Sequence, residues 1–205
     1  IDLLAPYAKA TGGRYYATAA DLSNPRLPDG ARKARAAFEQ RLAEQPELYG
    51  KVELVNWGDG ARALPVNTFD LILTARNVHG WMQDKPGTVE AIFKAFHDAL
   101  KPGGILAIEQ HRATPTDKAE QPGTGYVTEQ YVIEQAQKAG LKLVAKSEIN
   151  ANPKDTRDHP FGVWTLPPAL RSTPYGSSEQ DPGFDHSKYL AIGESDRMTL
   201  KFVRN

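Results

Sequence analysis

The stretch "FHDALKPGGILAIEQH", residues 96–111, reads as a helix end, a hard turn and a buried strand. Just upstream, "TVEAIFKAFHDAL" (88–100) spaces Val89, Ile92, Phe93, Phe96 and Leu100 at three and four residues, one apolar stripe of an amphipathic helix. Lys101-Pro102-Gly103-Gly104 should end it, because proline cannot continue a helix and glycine accepts a left-handed turn. The preceding strand lies in "FDLILTARNVHGWMQD" (69–84). Phe69, Leu71, Ile72 and Leu73 form a run of the kind that fills the middle of a parallel sheet, covered on both faces. The chain then turns to Arg76, Asn77, His79, Gly80 and Trp81. Ligands bind at the carboxyl ends of strands in open α/β sheets, so this switch marks a candidate site.

Working outward, the same alternation continues. "IDLLAPYAKATGG" resembles the tail of a helix with Gly12–Gly13 as its stop, and "RYYATAAD" is a strand running up to Asp21. "ARKARAAFEQRLAEQPEL" (31–48) is a helix with Ala34, Phe38 and Leu42 on one face, and "KVELVNW" is the next strand. After "ILAIEQH" come a helix, "TEQYVIEQAQKAG", with Thr128 as N-cap, and a strand, "LKLVAKSEI". Residues 150–194 are rich in proline and glycine and lack periodicity, which marks a functional loop or an ordered insertion. "DRMTLKFV" closes the chain as a strand. Alternation of this kind predicts an α/β fold, a doubly wound and mostly parallel sheet. The last two strands, with no helix between them, should form an antiparallel edge pair. All 205 residues are expected to form a single domain carrying one long loop.

Composition narrows the function. Twenty-five basic and twenty-five acidic residues cancel, so no basic face points to nucleic acid. No apolar stretch approaches the roughly 20 residues of a membrane span. The absence of cysteine removes thiol catalysis and cysteine–zinc sites, and fits the cytoplasm and the periplasm equally.

Three junctions carry chemistry. Asp21, at a strand's carboxyl end, can accept both hydroxyls of a ribose, or can simply cap a turn. In "NWGDGARALPVN", Asp59 can accept from an adenine amino group while Gly58 lets a ring approach the backbone; Gly-Asp-Gly is also an ordinary turn. The helix, turn and strand of 88–111 form the third. In this order and spacing the chain resembles the class I S-adenosylmethionine-dependent methyltransferases, most specifically through "LKPGGILAI" after "FDLIL". "LILTARNVHGW", "HPFGVWTLPP" and "SDRMTLKFV" are similar to a bacterial group of predicted methyltransferases.

The resemblance implies a seven-stranded Rossmann-like sheet and S-adenosylmethionine as cofactor. Asp21 would hold its ribose, Gly58 and Asp59 its adenine, and Arg76 and Asn77 would line its methionine end. It also implies a first strand and a glycine-rich turn ahead of Ile1. "TGG" at 11–13 does not replace them, because it follows a helix where that turn must open one. The chain is therefore expected to be N-terminally truncated, with a preceding segment or an oligomer partner completing the sheet. The expected function is methyl transfer to a small-molecule acceptor. The alternatives are a non-catalytic ligand-binding protein on the same frame and a nicotinamide-dependent oxidoreductase.

His79 and His111 follow two strands at the same end of the sheet, where neutral imidazole can take a substrate proton. They are the catalytic candidates, and hydrogen-bonded loop histidines are the plain alternative. Trp81 is expected to pack a loop rather than a substrate. Glu109, Asp155, Asp158 and His159 match no compact metal motif, so no metal is expected. Tyr126 and "HPFGVWTLPP" read equally as a lid and as burial of a long loop.

Overall fold

The computed structural model describes residues 1–58, 64–114 and 121–205. It forms two compact units, Ile1–Leu64 and Pro65–Asn205.

In the first unit, α1 (Leu4–Ala10) leads through Gly12 (φ 71°) into β1 (Tyr15–Ala20). Thus Thr11–Gly13 does close a helix. β1 pairs in parallel with β2 (Val52–Trp57), from Tyr15 opposite Val52 to Ala20 opposite Trp57. The helix expected over 31–48 is two helices, α2 (Asp29–Glu44) and α3 (Pro46–Tyr49). The Pro46 ring pushes Gln45 out of the helical region, to φ −128° and ψ 53°.

The buried side of α2 also differs from the expected one. Ala34 is exposed and its neighbour Arg35 is buried. The Arg35 guanidinium donates to the Ala20 carbonyl (3.0 Å) and to Asn56 Oδ1 (3.2 Å), and pairs with Glu39 (2.6 Å). A cation tolerates burial when its donors are satisfied. Here it ties α2 to the carboxyl-terminal ends of both strands.

The second unit is built on a four-stranded sheet of β3 (Phe69–Ala75), β4 (Leu100–His111), β5 (Leu141–Ser147) and β6 (Arg197–Arg204), in the order β3-β4-β6-β5. β3 and β4 are parallel, and β6 runs antiparallel to both of its neighbours. The antiparallel β5–β6 pair is as expected, but the reversed strand lies one place in from the edge. α4 (Val78–Met82) follows β3, and α5 (Thr88–Ala99) buries Val89, Ile92, Phe93, Phe96 and Ala99. α6 (Glu129–Lys138) starts at Thr128, whose hydroxyl accepts from the Tyr131 N–H. α7 (Ser187–Ile192) lies at the end of the long tract.

At the strand pair that decides the fold the helix ends and the hard turn forms as expected, with Gly103 at φ 77°, and two details differ. First, the helix stops at Ala99, and Leu100 is already extended and paired with Phe69. The next partners are Leu71 and Ile105, so Lys101–Gly104 bulge from the ladder opposite Asp70, to which Lys101 bonds at 2.8 and 2.9 Å. A Cβ at Gly104 would lie 2.8 Å from the Lys101 carbonyl oxygen and 3.0 Å from that of Phe69, so the bulge admits only glycine there.

Second, β3 is not covered on both faces. Leu71 and Leu73 are 47% and 51% exposed. Among the described residues β3 pairs with β4 alone, which leaves it an open edge. Its apolar run predicts a central strand, and no neighbour within this unit makes it one.

Candidate functional site

The first unit brings two of the predicted cofactor contacts together. The register that ends at Ala20 opposite Trp57 carries Asp21 and Gly58 to the same end of the strand pair. A Cβ placed on Gly58 would stand 3.7 Å from Asp21 Cβ. Asp21 is buried, and its Oδ1 accepts from the Ser23 N–H (3.0 Å) and hydroxyl (2.7 Å), so it caps a turn. Oδ2 has no partner among the described residues and can accept from a ligand. Asp59 lies outside the described residues.

In the second unit, the carboxyl ends of β3 and β4 deliver the other candidates. Arg76 adopts φ 57°, unusual for a side-chain-bearing residue, and its N–H donates to the Glu109 carbonyl (2.8 Å). Its guanidinium lies 3.8 Å from the Glu109 carboxylate, which Arg197 meets at 3.2 Å. Asn77 donates from Nδ2 to Thr74 Oγ1 (3.0 Å). These contacts bend the chain into α4, which turns His79 toward His111, the last residue of β4. Their ring centroids are 5.6 Å apart. Trp164 stands edge-on to His79 at 5.7 Å and stacks on Tyr175 at 4.6 Å. Trp81 packs against Phe96 of α5 instead.

Two residues missed in the sequence complete this cluster. Ser195 Oγ lies 2.6 Å from His111 Nδ1. Gln110, wholly buried, reaches His79 Nδ1 at 3.1 Å. Period-two alternation held the signal for Gln110, since Leu106, Ile108 and Gln110 share the buried face of β4. Ser195 had no such signal, as it comes from 84 residues away.

Both histidines are neutral at physiological pH. Burial lowers the His111 pKa to about 3, aided by His79 once that ring is protonated and by the charges of Arg197 and Arg76. Burial also lowers that of His79, outweighing the opposing effect of its hydrogen bond with Gln110, and Arg76 adds to the lowering. Burial raises the Glu109 pKa, against the pull of its arginine partners.

The long tract is ordered around two buried carboxylates. Asp155 accepts from the Tyr126 hydroxyl (2.9 Å to each oxygen), from the Asp196 N–H (2.7 Å) and from the Arg157 N–H (2.9 Å). His159 pairs with it at 2.8 Å. Asp196 in turn holds Arg112 and Arg157. Asp155 and His159 thus meet in a buried hydrogen bond, while Asp158 bonds Thr156. Tyr126 and Val163 are packed together in a small core with Ala113, and Trp164 lies against it.

No protein-family model matches the chain, and no curated protein sequence matches it. Solved structures do. An S-adenosylmethionine-dependent methyltransferase from Mesorhizobium loti superposes with a TM-score of 0.53 at 15% identity, covering 98% of this chain and 86% of that one. A glycopeptide N-methyltransferase bound to S-adenosyl-L-homocysteine gives 0.53 at 14%, over 99% and 78%. A [4+2]-cyclase gives 0.51 at 13%, over 94% and 75%. Taken with the order of strands and helices above, these likenesses place the chain in the α/β, Rossmann-like fold of the class I S-adenosylmethionine-dependent methyltransferases.

Proposed function

We propose that this protein transfers a methyl group from S-adenosylmethionine to a small-molecule acceptor. The observation that carries the proposal is a fold shared with such methyltransferases over nearly the whole chain, with candidate site residues at carboxyl-terminal strand ends in both units. When bound, the cofactor supplies an electrophilic methyl on a sulfonium, whose bonding electrons return to sulfur as the acceptor's lone pair takes the methyl. The residues present fit one end of that molecule. Among the described residues, Asp21 keeps one carboxylate oxygen for a ribose hydroxyl, and a Cβ on Gly58 would meet only Asp21 Cβ. Among the described residues no glycine-rich turn joins a strand to a helix, so these residues provide no cradle for the methionine end.

The remaining task for the protein is alignment, which can contribute most of the acceleration of a displacement reaction. His79, His111 and Trp164 form a polar and aromatic surface suited to orienting an acceptor. Calorimetric titration with S-adenosylmethionine and S-adenosyl-L-homocysteine, followed by transfer of labelled methyl into a panel of small acceptors, tests the proposal. Micromolar-range binding of both with labelled product is expected.

The non-catalytic reading keeps one specific support, that Asp21 already has a structural task at Ser23. The neighbouring cyclase illustrates why fold alone does not decide chemistry. Binding without transfer to any acceptor would favour that reading.

A further inference from the structure

The amide of Gln110 has only one orientation that satisfies its surroundings. Oε1 accepts from the Val78 N–H at 3.2 Å, and Nε2 donates to the Gly125 carbonyl at 3.0 Å. Turning the amide over would set a donor against the Val78 donor and an acceptor against the Gly125 acceptor. The second hydrogen on Nε2 points to His79 Nδ1, at 3.1 Å, and the His111 carbonyl at 3.5 Å is a weaker alternative. Gln110 is 0% exposed, so no water relieves a wrong choice. His79 Nδ1 must therefore present a lone pair, and the proton of the neutral ring sits on Nε2. That nitrogen has no partner among the described residues.

We propose that Gln110 is a positioning residue that fixes His79 as an N–H donor, and that His79 Nε2 binds an anionic oxygen, a carboxylate or phenolate, on the methyl acceptor. This rests on the methyltransferase reading and narrows its substrate class. It also reverses the role expected of His79, since an Nε2 that already carries the proton cannot take one there. His111 does not fill that role either, being too weak a base near its pKa of about 3. The nucleophile must then arrive with its lone pair free. The rings against His79 leave room for an anionic guest: His111 is neutral, and Trp164 supplies an aromatic wall. Neutral imidazole held as a donor is an established way to bind oxyanionic groups.

Long-range proton–nitrogen correlation spectra of the nitrogen-labelled chain read the tautomer directly, with His79→Phe assigning the signal. The expected result at pH 7.5 is a protonated Nε2 and a bare Nδ1. A protonated Nδ1, or an imidazolium, would overturn the proposal without any variant of Gln110 having to fold. Gln110→Glu replaces the donor by an acceptor, so the His79 proton should move to Nδ1 and its pKa should rise by about one unit or more. An unchanged tautomer in a folded Gln110→Glu protein would reduce Gln110 to packing.

The substrate class has its own measurement. With S-adenosyl-L-homocysteine present, benzoate and 4-nitrophenolate should bind about tenfold tighter than methyl benzoate and 4-nitroanisole, and His79→Ala should erase the difference while keeping affinity for S-adenosyl-L-homocysteine. Equal binding of charged and neutral probes would remove the anionic-oxygen assignment. If S-adenosyl-L-homocysteine itself fails to bind, the methyltransferase reading falls while the tautomer result stands.

Discussion

The Tyr126 hydroxyl lies 2.9 Å from each carboxylate oxygen of Asp155, and both groups are buried. The pair joins the segment before α6 to the long tract, and through the Asp196 N–H it reaches the start of β6. Tyr126→Phe should destabilise the protein by about 1.5–3 kcal/mol, because it removes a hydrogen bond to a charged group. Asp155→Ala should cost about 3–5 kcal/mol, since it leaves several buried donors unpaired. Urea unfolding of the two variants beside the parent protein checks the order. A near-zero loss in Tyr126→Phe would show that the tyrosine ring, not its hydroxyl, carries the contact.

Acid should weaken this protein well before its carboxylates titrate. The His111 pKa is depressed in the folded state, so between about pH 6.5 and 3 the unfolded chain binds the extra proton. Its contribution is complete above the unfolded value and is lost as pH falls. His79 acts with the same sign. For each fully linked proton the slope is about 1.4 kcal/mol per pH unit. Burial pushes the Asp196 carboxyl up, but Arg112, the Asn152 N–H and Arg157 outweigh it and hold its pKa down, so its share is lost only below about pH 4. Denaturant midpoints from pH 8 to 4.5 should fall steadily below pH 6.5, and His111→Gln should flatten that fall. A flat profile in the parent protein would contradict the burial of both rings.

Two glycines of equal backbone type should respond very differently to a methyl group. Gly87 and Gly162 both have positive φ, at 85° and 58°. A Cβ on Gly87 meets nothing within 4 Å, so Gly87→Ala should cost only the left-handed strain of about 1–2 kcal/mol. On Gly162 it would stand 2.1 Å from the Thr124 carbonyl oxygen, adding an overpacking penalty of about 1–3 kcal/mol or more. Thermal melts of the two variants test the close approach of Gly162 to the turn around Thr124.

Asp21→Ala should lower affinity for S-adenosyl-L-homocysteine by roughly 10- to 100-fold, the loss of one hydrogen bond to a charged acceptor. Asp21→Asn, which keeps an acceptor for Ser23, separates ligand binding from the turn. Calorimetry should show weakened binding in both variants, with circular dichroism unchanged. If only Asp21→Ala is affected, and it is also unfolded, Asp21 is a turn residue and nothing more.

The sequence by itself determined the alternation of elements, and with it the fold class, because periodicity and turn chemistry are local. The stripe of α5, the Thr128 cap and the strand of 105–111 follow from neighbours within a few residues. It also placed His79 and His111 at one end of two strands, and they do meet. It could not show that Leu71 and Leu73 stay exposed, since hydrophobicity states what a strand prefers and only its neighbours decide what it receives. Lys101–Gly104 end the helix as read, but proline and glycine announce a break in periodicity without saying that it also interrupts a ladder. The chemistry of the candidate site was decided by tertiary contact alone. Ser195 reaches His111 across 84 residues, and Gln110 sets the proton of a ring 31 residues away. A tautomer depends on which atom faces which, and that relation exists only once the chain has folded.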